Sequence, residues 1–225
     1  MSIDAQSKFL DYASSEQYTR GLLGALLMAD WRQAMIARGN GYHVDVGAFS
    51  TPITGGGDGT VIDQDQPEFI ISVAAGYCVV PIRVDINVLP GLQTTDSHET
   101  EILVAVDRVA AYDATGTVVA ETAINMRTNT VGNPTGVTCH SAGTANITNP
   151  TLGMELMHRA LFTDVQGIAA TVNLMQLNGL YEPENPPFLI GPCAIYGYWG
   201  GSIAATGFAQ IDFLSFASSL VTGLS

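Results

Sequence analysis

Two hundred and twenty-five residues, 47% hydrophobic and 13% charged, describe a globular chain able to hide about 72% of its unfolded surface, which excludes a disordered polymer. Acidic side chains outnumber basic ones 21 to 8, for a formal charge of −13, and Lys8 is the only lysine, so a classical phosphate-contacting nucleic-acid binder is excluded too. The opening Met1–Lys8 has no basic or apolar leader character, and the apolar run Gly21–Ala29 is too short to cross a bilayer, which predicts a soluble chain made in a cytoplasm.

The first 40 residues stand apart. They carry Lys8, Arg20, Arg32 and Arg38 against Asp4, Asp11, Glu16 and Asp30, leaving four cations and seventeen acids for residues 41–225. A short helix is predicted over Ile3–Ala13, its start favoured by Ser2 and Asp4. Ser14-Ser15-Glu16-Gln17 supplies a capping box for a second helix, whose Leu22, Leu23, Leu26, Leu27, Trp31 and Met35 form one apolar stripe. Gly39-Asn40-Gly41 is its stop signal. Residues 1–41 therefore read as an N-terminal helical arm and 42–225 as the main body.

From Tyr42 onward the period changes to two. Val80, Ile82, Val84, Ile86 and Val88 alternate with mostly polar neighbours, which predicts one buried and one wet face. Further strands are expected over 43–49, 68–73, 101–109, 117–126, 155–162, 170–177, 188–199 and 208–216. Turn chemistry separates them at Thr54–Gly59, Pro90-Gly91, Asp113–Gly116, Asn178-Gly179 and Gly200-Gly201. Residues 128–154 carry no charge and read as a long loop with one edge strand, and the charge-free run Phe188–Ile211 reads as two buried strands around a Gly-Gly turn. About nine such strands, no helical pattern between most of them and no internal repeat predict an antiparallel sandwich.

Four histidines, at 43, 98, 140 and 158, are the candidates for metal or acid–base chemistry. His43-Val44-Asp45, then His98 and Arg108, resembles the His-x-Asp, distal His and Arg set of the iron and 2-oxoglutarate oxygenases, in which imidazole and carboxylate hold Fe(II) with open positions. The chain departs from that family in two ways. His98 lies in the polar, loop-like run Thr94–Glu99, and over a hundred residues follow Arg108. A cupin-type His-x-His pair is missing. Asp58, Asp63, Asp65 and Glu68 crowd eleven residues but match no EF-hand spacing, and read as a solvated acidic turn that could take a cation at a subunit boundary. Cys139-His140 has no third partner, and neighbours on a strand point to opposite faces. Cys78, Cys139 and Cys193 are too scattered for a disulfide framework or a zinc site and read as small buried hydrophobes. Tyr196, Tyr198 and Trp199 read as an aromatic core layer or subunit contact rather than a sugar platform. No catalytic, cofactor-binding or metal residue is assigned.

An arm, eight to nine antiparallel strands with long loops, and the closing segments Gly191–Gly201 and Thr206–Phe213 resemble the jelly-roll structural proteins of viruses and phages. The likeness is one of layout, over most of residues 42–216. It implies a single antiparallel jelly-roll β-sandwich that self-assembles as a virion capsid subunit without catalytic activity, with other copies and other virion proteins as partners. Many capsid arms are basic, whereas this one has zero net charge, so genome neutralisation would fall elsewhere. The alternatives are another protein, small cations or an internal membrane between shell and genome, and in the last case Lys8, Arg20, Arg32 and Arg38 would touch anionic headgroups. The same layout is similar to trimeric tumour-necrosis-factor-like or lectin-like receptor-binding heads, and the oxygenase is a third alternative.

Overall fold

The computed structural model describes residues 31–55, 62–90, 97–109, 114–115, 118–141, 146–147, 150–164, 176–202 and 205–222. The predicted first helix, the Ser14 capping box, Leu22–Leu27, Asp58, most of the 54–59 turn and residues 170–175 lie outside them. Met35–Ser225 forms one compact unit. The helix α1 (Trp31–Ala37) ends at the predicted stop, where Gly39 adopts φ +88° and the N–H groups of Gly39 and Asn40 return to the carbonyls of Ile36 and Met35 at 2.8 and 3.1 Å. Asn125 ties this corner down. Its Nδ2 donates to the Gly39 carbonyl at 2.7 Å, while its Oδ1 accepts from the N–H groups of Arg127 and Thr128.

Strands then follow in close succession: β1 (Gly41–Val46), β2 (Ile53–Thr54), β3 (Phe69–Val73), β4 (Tyr77–Pro90), β5 (Ser97–Asp107), β6 (Ala114–Thr115), β7 (Val119–Glu121), β8 (Ile124–Asn125), β9 (Val137–Ser141), β10 (Asn146–Ile147), β11 (Leu152–Asp164), β12 (Leu177–Tyr181), β13 (Leu189–Ile190), β14 (Cys193–Gly201) and β15 (Ala205–Ala217). A last turn of helix, α2 (Ser219–Thr222), follows β15. The protein is mainly β, as the period-two pattern predicts. One sheet has seven strands in the order β12-β4-β15-β1-β8, with β13 on β4 and β2 on β15. The other has six, ordered β11-β5-β14-β3-β9-β7, and β6 and β10 form a separate pair. Every pairing is antiparallel. Eight strands pair from the outside of the chain inward, β1 with β15, β3 with β14, β4 with β12 and β5 with β11, and β9 adds to the far side of β3.

The core lies between the two inner faces. Val44, Val84, Ile86, Ile211 and Phe213 come from the seven-stranded sheet and Phe69, Ile71, Val104, Ile195 and Trp199 from the six-stranded one, all buried. Each such side chain contributes roughly 1.5–3 kcal/mol, which pins the register, because a one-residue slip would turn it to the opposite face.

Several expectations are corrected. Val80 through Val88 do form one strand, but their alternating side chains do not share one face. A bulge opposite Asp212 and Phe213, which pair with Arg83 and Pro81, inserts Ile82 and reverses the alternation. Val84, Ile86 and Val88 thus enter the central core, while Cys78, Val80 and Ile82 face outward with Leu214 and Phe216 and are covered by Met35 and Ile36 of α1 and Val221 of α2. Asn178-Gly179 is not a turn; it lies inside β12 opposite Asn87 and Ile86. Glycine is needed there because a Cβ would sit 2.8 Å from Met157 Cε, which packs across from the facing sheet. Gly200-Gly201 closes β14 instead of forming the turn after it. The expected strand 117–126 is two short strands in different sheets, broken at Ala123, whose N–H donates to Asn133 Oδ1 at 2.8 Å. Within 128–154, β9 is no edge strand: it lies between β3 and β7, and β11 already begins at Leu152. The expected strand 188–199 is interrupted at Gly191-Pro192, and His98 belongs to β5 rather than to a loop.

Candidate functional site: the outer faces and edges of the sandwich

With the core closed, chemistry is confined to the outer faces and edges. On the outer face of the seven-stranded sheet, cross-strand register builds two polar rows. His43, Asp212 and Arg83 lie opposite one another on β1, β15 and β4, and Asp45, Gln210 and Asp85 form the next row. Alternation explains the grouping, since His43 and Asp45 are two residues apart on one strand and so are Arg83 and Asp85 on another. His43 Nδ1 stands 2.6 Å from Asp212 Oδ1, and its Nε2 stands 3.2 Å from Asp45 Oδ1. Gln210 Nε2 donates to Asp45 Oδ1 at 3.1 Å, Arg83 pairs with Asp85 at 2.8 Å, and Asn87 Nδ2 donates to the same carboxylate at 3.2 Å. Burial disfavours the charged imidazole of His43, but the hydrogen bond and charge of Asp212, helped by Asp45, outweigh it and hold its pKa above the ordinary 6.5.

The other predicted constellations do not converge. His43 lies in the seven-stranded sheet and His98 in the six-stranded one, opposite Thr163. Cys139 faces the core, where burial first and Glu121 second push its thiol up to about 12. His140 is on the opposite face of β9, its pKa lowered by burial against the pull of Glu121. Cys78 and Cys193 are likewise buried and pushed up to about 11, so all three cysteines are poor nucleophiles. Asp63 closes a local turn by accepting from the Asp65 N–H at 3.0 Å and from Gln66 Nε2 at 2.8 Å. Glu68 has left that group altogether: it is fully buried, and its Oε2 accepts the Trp199 N–H at 2.7 Å. Among the described residues no three His, Cys, Asp or Glu side chains are grouped so as to hold a metal ion.

The outer face of the six-stranded sheet is roofed rather than open. Tyr196 and Tyr198 share that face with ring centroids 6.3 Å apart, beneath Ile62, Ile147 and Val118. The Tyr198 hydroxyl donates to the Gln64 carbonyl at 2.9 Å, and the Ile147 N–H donates to the Asp65 carbonyl at 2.7 Å, which stitches the roof down. Neither ring has a face free for a sugar. Trp199 points the other way, into the central core.

Among the described residues, exposed large apolar side chains include Trp31, Leu89, Val109 and Leu220 at scattered positions and others at the ends and edges of the sheets. Beside β8, the outermost strand of the seven-stranded sheet, stand Met126 and Val131, the latter 67% exposed and bridged to Ile124, while Val119 is exposed on β7, the outermost strand of the six-stranded sheet. At the opposite edge of the seven-stranded sheet, on and beside β12 and β13, stand Leu180, Phe188 and Ile190. At one end of the polar rows Phe49, 82% exposed, meets the Phe208 ring edge-on at 6.5 Å. Sequence reasoning missed these positions, because they depend on the order and register of strands far apart in the chain. No described helix is long and apolar enough to cross a membrane. No protein-family model matches the chain, and no curated protein matches it in sequence.

Proposed function

We propose that this chain is a jelly roll that self-assembles as the shell subunit of a virion, with an N-terminal helical arm as a tether between subunits. The nested pairing of β1 with β15, β3 with β14, β4 with β12 and β5 with β11 supports the jelly-roll reading, with β9, as long as β3 and β12, added beside β3. Fold alone does not give function. The observation that carries the role is the placement of exposed apolar groups on two opposite edges of the seven-stranded sheet, at β8 and at β12 and β13. Two unlike, opposite apolar edges suit a head-to-tail contact, and head-to-tail contacts make rings or extended lattices. The polar rows contain no activated nucleophile, so they suit a surface better than an active centre. A trimeric receptor-binding head uses the same kind of contact but stops at three copies.

Charging one edge tests this reading. The variant Val131→Lys removes apolar contact from a side chain 67% exposed beside β8, so folding stability stays within about 0.5 kcal/mol of the parent. The protein concentration needed for assembly should rise at least about tenfold, the equivalent of about 1.4 kcal/mol per contact. Unchanged assembly would remove this edge from the account.

A further inference from the structure

We propose that His43 is a proton-operated clamp between β1 and β15, in which one imidazolium holds Asp212 and Asp45 together and loss of its proton loosens β1. Both ring nitrogens face carboxylate oxygens, at 2.6 Å to Asp212 and 3.2 Å to Asp45. A carboxylate only accepts, so satisfying both contacts needs an N–H on each nitrogen, and only the cation has two. The neutral ring would turn a lone pair on one carboxylate oxygen.

On the β15 side His43 faces Asp212, flanked by Gln210, which donates to Asp45; on the β8 side it faces Ile124. Arg83, across β15 from Asp212, is paired with Asp85 at 2.8 Å. On its other side β1 pairs with β8 through only Tyr42 and His43, so β15 is the strand that holds it along its length and the clamp lies on that seam. Since β1 directly follows the helix whose Met35 and Ile36 cover the same outer face, loosening it would loosen the root of the arm. The folded pKa is raised, so the clamp's contribution is complete below the ordinary imidazole value of 6.5 and is lost as pH rises through the higher folded value.

Exchange of the histidine ring Cε1 hydrogen, read by mass spectrometry on the full chain in whatever assembly it adopts, reports the His43 titration directly. Its midpoint should lie above 6.5 and move down in Asp212→Asn. Amide exchange of the β1 peptide, corrected for intrinsic pH dependence, should quicken about tenfold across that midpoint, as expected for loss of a charge-assisted bond. That excess should vanish in His43→Gln. A parent midpoint at or below 6.5, or a β1 excess that survives His43→Gln, would overturn the clamp. If His43→Gln does not fold, Asp45→Asn takes its place, since Asp45 is half exposed. A midpoint that neither carboxylate variant lowers would also overturn it.

Discussion

Trp199→Ala should lower stability by about 4 kcal/mol, a loss of roughly 10 °C in melting temperature for a chain of this size. The indole is fully buried between the sheets and donates from Nε1 to the Ile53 carbonyl at 3.2 Å. Two glycines make room for it. A Cβ on Gly55 would lie 2.6 Å from the indole Cδ1 and run into the Trp199 carbonyl, and a Cβ on Gly207 would lie 3.0 Å from Nε1. Alanine at 199 would therefore leave a cavity walled by backbone, which cannot collapse as side chains do. Gly55→Ala should destabilise by a further independent route, at about 3 kcal/mol, because the obstacle is a main-chain carbonyl on β14. Thermal and urea unfolding of the two variants checks both numbers.

Glu68→Ala should cost about 3 kcal/mol, whereas Glu68→Gln should cost less than half as much. The difference follows from what this side chain replaces. The β3 ladder on β14 begins at Phe69, opposite Gly197. On the β3 side of β14, Trp199, two residues beyond Gly197, has a buried N–H past the end of that ladder, where no paired strand carbonyl accepts it. The Glu68 carboxylate reaches beyond the ladder's end and accepts that N–H at 2.7 Å. Glutamine keeps an acceptor oxygen at the same reach, and alanine keeps none. Equal losses in the two variants, measured by urea unfolding, would show that the carboxylate matters for another reason.

These cases show what the sequence could convey. Alternation put His43 and Asp45 on one face and marked β4 clearly, because both depend only on spacing along one strand. Asp212, 169 residues away, joins them only through the register of β1 with β15, which no local pattern encodes. The bulge at Ile82 was equally hidden: Val80 and Ile82 look identical to Val84 and Ile86 in hydropathy, yet they serve the patch under α1 and α2. Glu68 was grouped with Asp63 and Asp65 by nearness, although the strand beginning at Phe69 turns it inward. Residues 128–154 misled because β9 is built from Val, Thr, Cys, His and Ser, whose lack of charge resembles a loop as much as a covered strand. Asn178-Gly179 carried a strong turn signal that tertiary packing overrode, since Met157 occupies the space a side chain would need.

The account joins an ordinary closed core to an outer surface with two opposite apolar edges and a polar strip crossed by the His43 clamp. Acidic excess over the body, seventeen acids against four cations in residues 41–225, makes copies of the chain repel one another at low salt. Assembly should therefore be favoured by added salt or divalent cations, which screen that repulsion without requiring a dedicated site. The most direct measurement is the mass and shape of the full chain in solution, by light scattering on a sizing column and negative-stain imaging of the same peak, across salt and Ca²⁺ concentration. The shell-subunit account predicts large closed particles, or the rings and sheets that lead to them, growing with ionic strength. A single monomer or trimer under every condition would contradict it.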